Sequence, residues 1–600
     1  MNNLSVSIVT ITQINRFQSL QLLSKMVNYQ DYDNIIEWVI IEGSENKDDG
    51  LINEKNIENL ESNIPIRYFG WTGKKLGGLR QLSNDRTFGQ IIVCMDDDDF
   101  YPKTRVSHAV EMLKNSSLSI AGACKILCYD FVLSKFLLYD NNNSKHSTNN
   151  VMAYKRSYLQ NHRYNESRVH AEETDFTNNY TEEMIQLDTL KSIILVSHKY
   201  NTYNKRDIFI GGLAECNKNS TVVEVNKNIN EFIPSDMFEK MKEIYSIESN
   251  SDYYDIIYFT GGFCKKWDPC DKGLGGSEQA VVHLSTEWVK LGKSVCVYGN
   301  FDKEVKYNNI VFRKWQNFDY NKEYNVVIIW RLYGFISSAP IGIKCKHLYL
   351  DLHDNMKFNS QFKKLWNKYE SFSKQIEYVF FKSEFHKNEF CNNIKYVPHK
   401  IIMNGIRDDI FGKNVENVVR EKYRFCYCSA YTRGLLDILN SIWPHIYKAQ
   451  PRAELHIYYG IPDKLLENEK YMTALNKLLA QPGVMDHGRQ SAELIAIEKY
   501  RSNFHLYLSN SDEEIDCISI RESCLTGCIP IISNYGVFRD RVGIHMNYDP
   551  KNKDLVNHCI KQILDIINKD EMCNKIRSTI SKTKMVTTWN EVAKEWLPYL

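Results

Sequence analysis

The chain has 600 residues, too many for one ordinary core; at about 150 residues per domain it should hold about four structural lobes. Lys and Arg number 75 against 74 Asp and Glu, and the net charge of +1 argues against a chain-wide surface for nucleic acid or anionic membrane. Hydrophobic residues make up 43% and charged residues 25%, with only 28 Gly and 13 Pro, which excludes a disordered or collagenous chain.

The N-terminal MNNLSVSIVTITQINRF has no basic leader, and its apolar residues alternate with Ser and Thr, so it predicts a first β-strand rather than a signal peptide. Strand-like SVSIVTI (5–11), IIEWVIIEG (35–43), IPIRYFG (64–70) and IIVCM (91–95) alternate with helical patterns, which predicts a mainly parallel sheet. The run SIAGACKILCYDFVLSKFLLYD (119–140) has no helical period and reads as antiparallel strands or a hairpin. Residues 215–250 are polar and Asn-rich, with one short helix candidate, and read as a linker. From Tyr253 a second α/β pattern begins. Its strands are DIIYFTGG (255–262), SVCVYGN (294–300), NVVIIW (325–330), KHLYLDLHD (346–354) and IEYVFFKS (376–383). A further set follows: RFCYCSA (424–430), AELHIYYG (453–460), FHLYLSN (504–510) and CIPIISN (528–534), separated by helices. That predicts two successive doubly wound lobes, with ligands at the carboxyl ends of the strands. The 16 Cys are scattered and form no CxxC pair, and Cys94, Cys296 and Cys426 sit in apolar runs, which points to buried free thiols and away from structural zinc. No run reaches the ~18–20 apolar residues a spanning helix needs. The expectation is a soluble cytoplasmic protein, cellular or virus-encoded, with no transmembrane segment.

The strongest local feature is Asp96-Asp97-Asp98-Asp99, directly after the apolar strand IIVCM. Four adjacent carboxylates repel one another and need a cation, a donor-rich pocket or full solvation. A hard divalent ion completed by substrate phosphates suits them; an acidic solvated turn is the plainer alternative. With SVSIVTIT, VIIEGS (39–44), GKKLGGLRQLSNDRTFGQIIVCMDDDDFYP (73–102) and HAEETDF (170–176), the first 214 residues resemble inverting glycosyltransferases of the GT-A fold, family two in particular. The resemblance implies that Thr10, Thr12 and Glu42 hold the nucleotide base, although that family usually has Asp where Glu42 stands. It implies that Arg80 lies against the nucleotide and that Asp96 and Asp97 bind the donor. It further implies that Asp98, Asp99 and His198 hold Mn²⁺ or Mg²⁺, and that the base is Glu173 or Asp175, beside Glu172. Arg80 could equally be a surface arginine, and the acidic group a helix N-terminal cluster.

In the second half, DKGLGGSEQAVVHLSTEW (271–288) is a glycine loop opening a helix, a place where backbone N–H groups can meet a phosphate; a tight helix-entry turn is the plainer alternative. Arg433-Gly434 follows RFCYCSAYT, and Glu514 and Glu522 flank the segment before Thr526-Gly527 and CIPIIS. With Asn404-Gly405-Ile406, these resemble retaining GT-B glycosyltransferases of family four over residues 251–600. The resemblance implies lobes at 251–410 and 411–600, Gly275, Gly276, Arg433 and Gly434 at the donor diphosphate, Glu514 at the donor sugar, Glu522 at the ribose, and His353 near the reacting centre. The family's Lys five residues after its Arg is replaced by Ile438, with Lys382 and Lys387 as the candidate substitutes. The implied whole is an α/β protein: a mixed GT-A domain, then a GT-B pair of Rossmann-like doubly wound domains. It would transfer sugars from UDP- or GDP-sugars to a glycan, glycoprotein or other hydroxyl acceptor, metal-dependent in the first module and metal-free in the second. Two alternatives stay open: a catalytically silent second module, and a sugar nucleotidyltransferase as the first.

Overall fold

The computed structural model describes residues 3–13, 16–44, 54–131, 133–198, 201, 205, 220–245, 253–271, 274–355, 360–392, 394, 397–413, 418–461, 467–510, 513–580, 582–583 and 585–600. Of the features singled out above, Lys272, Gly273, Asp512, residues 199–200 and 202–204, and both ends of the expected linker (215–219 and 246–250) lie outside the described residues. The chain forms two compact units, residues 1–251 with 316–322, and residues 252–315 with 323–600.

Unit 1 contains strands β1 (Val6–Gln13), β2 (Ile35–Ser44), β3 (Ile66–Thr72), β4 (Ile91–Cys94), β5 (Ile120–Gly122), β6 (Lys125–Asp130), β7 (Lys135–Asn141), β8 (Ala153–Lys155), β9 (Ile185–Gln186), β10 (Leu195–Ser197) and β11 (Ser220–Val225). The main sheet has the order β3-β2-β1-β4-β8-β5-β9. Its first four strands are parallel, and β8 runs antiparallel to both β4 and β5. A parallel strand flanked on both sides needs apolar residues on both faces, which is why VSIVTITQ in β1 is buried from Val6 to Thr12. A second sheet, β10-β6-β7-β11, contains the expected hairpin, β6 and β7, closing at Asp130↔Lys135. Residues 220–225 and 235–245, expected in a linker, belong to unit 1 instead. The strand β11 pairs with β7 along its whole length, and the helix Ser235–Tyr245 buries Met237, Phe238, Met241 and Tyr245. In β11 Val222 is buried while Val223 is exposed, an alternation too short to stand out among polar neighbours.

Unit 2 contains two sheets. The first has strands β12 (Ile256–Gly261), β13 (Val295–Gly299), β14 (Val305–Tyr307), β15 (Ile310–Lys314), β16 (Glu323–Trp330), β17 (Lys344–Asp351), β18 (Tyr378–Phe381) and β19 (His399–Ile401), in the order β14-β15-β13-β12-β16-β17-β18-β19. Every pairing is parallel except that of β14 with β15. The second has β20 (Glu421–Cys428), β21 (Glu454–Tyr458), β22 (Val484–Asp486), β23 (Ser502–Tyr507), β24 (Ile529–Ser533) and β25 (Ile544–Met546), all parallel, in the order β22-β21-β20-β23-β24-β25. Both are doubly wound, Rossmann-like sheets whose strand order reverses beside the first strand. The turn at Asn404 ties them together: its N–H donates to Asp516 at 3.0 Å, and its carbonyl accepts from Arg521 at 2.6 Å. A Cβ on Gly405 would stand 2.4 Å from the Trp589 backbone, so only glycine passes there.

The C-terminal helix Trp589–Trp596 starts with a Thr588–Glu591 capping box and packs its Trp589, Val592, Ala593 and Trp596 into the core of the first sheet. Trp596 is fully buried, stacked on Phe380 at 3.8 Å and edge-on to Trp288 at 5.7 Å. Trp596→Ala is expected to cost about 3–5 kcal/mol in unit 2, read by chemical denaturation; a loss below 1 kcal/mol would show that the helix merely rests on the surface.

Candidate functional site

In each of the three large sheets the strand order reverses once beside the first strand, and the carboxyl ends of the two flanking strands are where such sheets place a ligand crevice. An arginine bridges to a carboxylate at each reversal.

In unit 1 the flanking strands are β1 and β4. Arg16, just beyond β1, donates from Nη1 to Asp97 at 2.9 Å and to Asp98 at 3.4 Å, beyond β4. Thr12 donates to Asp97 at 2.6 Å. Asp99 is spent on structure: it accepts from the Val196 N–H at 2.8 Å, from Lys205 at 3.3 Å and from Asn150, pinning β10 beneath the acidic run. Asp98 faces His198, Oδ2 to Nε2 at 3.6 Å, and accepts from Asn201 at 3.0 Å. Burial opposes the Asp98 charge, but Lys205, His198 and Arg16 outweigh it and hold its carboxyl well below the usual range. Asp97 moves the other way, raised by burial and by Asp98 against the pull of Arg16. Tyr245, from the helix in the expected linker, stacks on His198 at 4.1 Å and donates to Ser19 at 3.1 Å.

Arg80 is neither on the surface nor open to a ligand. It lies 5% exposed, forked onto Asp96 at 2.6 and 2.7 Å, and its Nε donates to Glu172 at 3.1 Å. It reaches both acidic motifs because a Cβ at Gly77 would stand 2.1 Å from the Asn165 carbonyl oxygen, so the Leu76–Asp85 helix packs directly on that backbone. Glu173 accepts from Asn149 at 3.3 Å and Tyr180 at 3.4 Å. Burial and the adjacent Glu172 push its carboxyl up to about 7. Asp175 pairs with Arg168 at 2.7 Å, apart from that group. Thr10 is locked within the sheet between Met95 and Trp38, and the buried Glu42 accepts from Tyr68 at 2.7 Å.

The acidic run therefore divides. Asp98 Oδ2 and His198 Nε2 stand 3.6 Å apart, and an ion shared between them would displace the bonds each makes to Asn201, whereas Asp99 pins Val196 and Asn150. Among the described residues no group of three His, Cys, Asp or Glu could hold a metal. A two-ligand anchor completed by phosphate oxygens suits Mg²⁺ or Mn²⁺, so the residues fit the ion with Asp99 left out. Arg16, Asn201, Lys205 and Tyr245 belong to no local motif; only their fold position brings them to the run.

In the first sheet of unit 2 the reversal lies between β12 and β16. Gly275 caps the 15-residue helix Gly276–Lys290, and the space beside Gly276 is open. Arg331, immediately after β16, takes φ +60 and pairs with Asp354 at 2.5 Å and with Glu278 of that helix at 3.6 Å. The Leu332 N–H also donates to Asp354, at 3.0 Å, which offsets the left-handed backbone at Arg331. His353 follows β17, and its Nε2 meets Asp351 at 3.1 Å.

In the second sheet the reversal lies between β20 and β23. Arg433, beyond β20, bonds Glu514, beyond β23, and meets Glu513 at 3.3 Å. Tyr507 donates to Glu514 at 2.8 Å. Gly434 takes φ +92, and a Cβ there would stand 2.3 Å from the Leu508 carbonyl oxygen, so the turn carrying Arg433 lies against the end of β23. Glu522 is held elsewhere, by the buried Lys499 at 2.7 Å. Ile438 is packed in the core. Of its two suggested substitutes, Lys382 is buried against Asp351 at 2.5 Å, and Lys387 pairs with Glu384 on its own helix.

No protein-family model matches the sequence, and no curated protein matches it. Among solved structures, a glycosyltransferase from Rickettsia africae is 16% identical, with 58% of this chain and 97% of that one covered, at a TM-score of 0.45. HepE from Anabaena, solved with UDP and glucose, is 12% identical, with 58% and 100% covered, at a TM-score of 0.44. Sucrose-phosphate synthase from Thermosynechococcus elongatus is 12% identical, with 57% and 97% covered, at a TM-score of 0.43.

Proposed function

We propose that the chain is a glycosyltransferase with two active sites. Unit 1 would act as a GT-A-type module that inverts the anomeric centre, and unit 2 as a GT-B-type module that retains it. Each would move a sugar from a UDP- or GDP-sugar to a hydroxyl of a glycan, glycoprotein or other acceptor. The observation that carries the reading is the Arg433–Glu514 pair, set across the strand-order reversal of a second doubly wound sheet.

In unit 2, backbone N–H groups at Gly276 and the Arg433 guanidinium would take the diphosphate charge, which fixed dipoles and cations can do without a metal. Glu514, released from Arg433 as phosphate arrives, would face the sugar. In unit 1, Asp98 and His198 would hold Mn²⁺ or Mg²⁺, which as a Lewis acid draws charge from the leaving diphosphate. Arg80 keeps Asp96 and Glu172 at fixed spacing. Of the three acidic candidates Glu173 is the base, because Glu172 is tied to Arg80 and Asp175 to Arg168, whereas Glu173 titrates near neutrality. The core position of Ile438 favours a second reading for unit 2, binding without turnover; nucleotide binding with no nucleoside diphosphate release would select it.

Nucleoside diphosphate release from a panel of nucleotide-sugars tests the assignment. Asp98→Ala is expected to lower one activity about 100-fold and leave the other intact, and Glu514→Gln to do the converse by at least about 100-fold. Loss of both activities in either variant, or of neither, contradicts two independent sites. Because only ionised Glu173 accepts a proton, turnover at the first site is expected to rise with pH through about 7 and level off above it. A rate flat from pH 6 to 8 rejects Glu173 as the base.

A further inference from the structure

The geometry points to Asp351 as a positioning residue: it fixes His353 as the neutral imidazole protonated on Nε2, which leaves Nδ1 as a hydrogen-bond acceptor for a hydroxyl of the bound sugar. The inference rests on the glycosyltransferase reading of unit 2 for its ligand, and on the structure alone for the tautomer.

Asp351 is 1% exposed at the end of β17. Its Oδ1 accepts from Lys382 at 2.5 Å, and its Oδ2 accepts from Tyr258 and meets His353 Nε2 at 3.1 Å. Lys382 holds the carboxyl below its usual range despite burial, so the group is ionised. An ionised carboxylate only accepts, so the imidazole nitrogen facing it must carry the proton. Burial, then Lys382, depresses His353, with Asp351 opposing them, so the ring is neutral and has a single N–H. That N–H is spent on Asp351, and Nδ1 retains its lone pair. Among the described residues Nδ1 has no hydrogen-bond partner, and the imidazole, 3% exposed, lies just beyond the carboxyl end of β17. An adjacent pair holds the loop still. His386 accepts the Lys382 N–H on Nδ1 at 3.3 Å and donates from Nε2 to the Asp354 carbonyl at 2.8 Å. A Lys–Asp ion pair would satisfy charge without the histidine; aiming one specific His nitrogen at the shared carboxylate is what the third partner adds.

The test is nitrogen NMR of the full chain labelled only at histidine, with the His353 signals identified by their loss in His353→Gln. The wild-type chain is expected to show an unprotonated Nδ1 and a protonated Nε2. In Asp351→Asn, Lys382 retains the amide oxygen, the amide NH₂ faces Nε2, and the proton moves to Nδ1. Should that variant fail to fold, the charge-neutral Asp351→Asn/Lys382→Met chain should show the tautomer preference lost. In the variant that folds, affinity for UDP-glucose relative to UDP, or for GDP-mannose relative to GDP, is expected to fall about tenfold. A protonated Nδ1 in the wild type, an unchanged tautomer in both variants, or a changed tautomer with unchanged sugar preference overturns the inference. If no nucleotide binds unit 2 at all, the glycosyltransferase reading fails, and the ligand half of the inference fails with it, while the NMR result still decides the tautomer.

Discussion

Carboxylates stand at the carboxyl ends of these parallel sheets, and at each strand-order reversal an arginine reaches across to pair with one of them. Arg16 spans β1 to β4, Arg331 spans β16 to the helix after β12, and Arg433 spans β20 to the segment after β23. Strand-order reversal opens each crevice, because the chains leaving the two flanking strands turn to opposite faces of the sheet. A charge left unpaired at such a place would cost several kcal/mol. Pairing across the gap therefore ties together the segments that leave the two strands of each reversal. The near-zero net charge of the chain conceals this, since each acidic site carries its own base.

Arg80 extends the same logic within unit 1. By binding Asp96 and Glu172 at once it couples the end of β4 to the acidic HAEETDF segment, two motifs more than 70 residues apart in sequence. Glu173, one residue on, lies outside that fork, and burial and the adjacent Glu172 push its carboxyl up to about 7. A cluster in which one carboxylate is clamped and its neighbour is pushed toward neutrality provides an acid–base group without further elements.

The parallel strands were legible in the sequence because burial on both faces forces unbroken β-branched and apolar runs, as in VSIVTITQ and NVVIIW. Near the crevices Arg433, Glu514 and the Asp96–Asp99 run stood out in the sequence because they follow apolar strands, whereas Arg16 and Arg331 did not. What the sequence hid was contact between distant segments. Lys205 lies in a polar stretch with no period and Tyr245 at the end of the short helix Ser235–Tyr245, and nothing local marks either as covering the Asp run. Asp99 looked equivalent to Asp98, and only the position of Val196 and Asn150 separates a structural pin from a candidate ligand. Asp351 read as one more residue of a strand; its meaning comes from Tyr258 in β12 and Lys382 just beyond β18.

The central claim is that one chain carries two separate nucleotide sites. Isothermal titration of the full chain with UDP and with GDP, in the presence of Mn²⁺, measures that directly. A total of two nucleoside diphosphates per chain is expected, of which only the one in unit 2 persists when the ion is chelated. Saturation at one per chain, or loss of all binding on chelation, would contradict it.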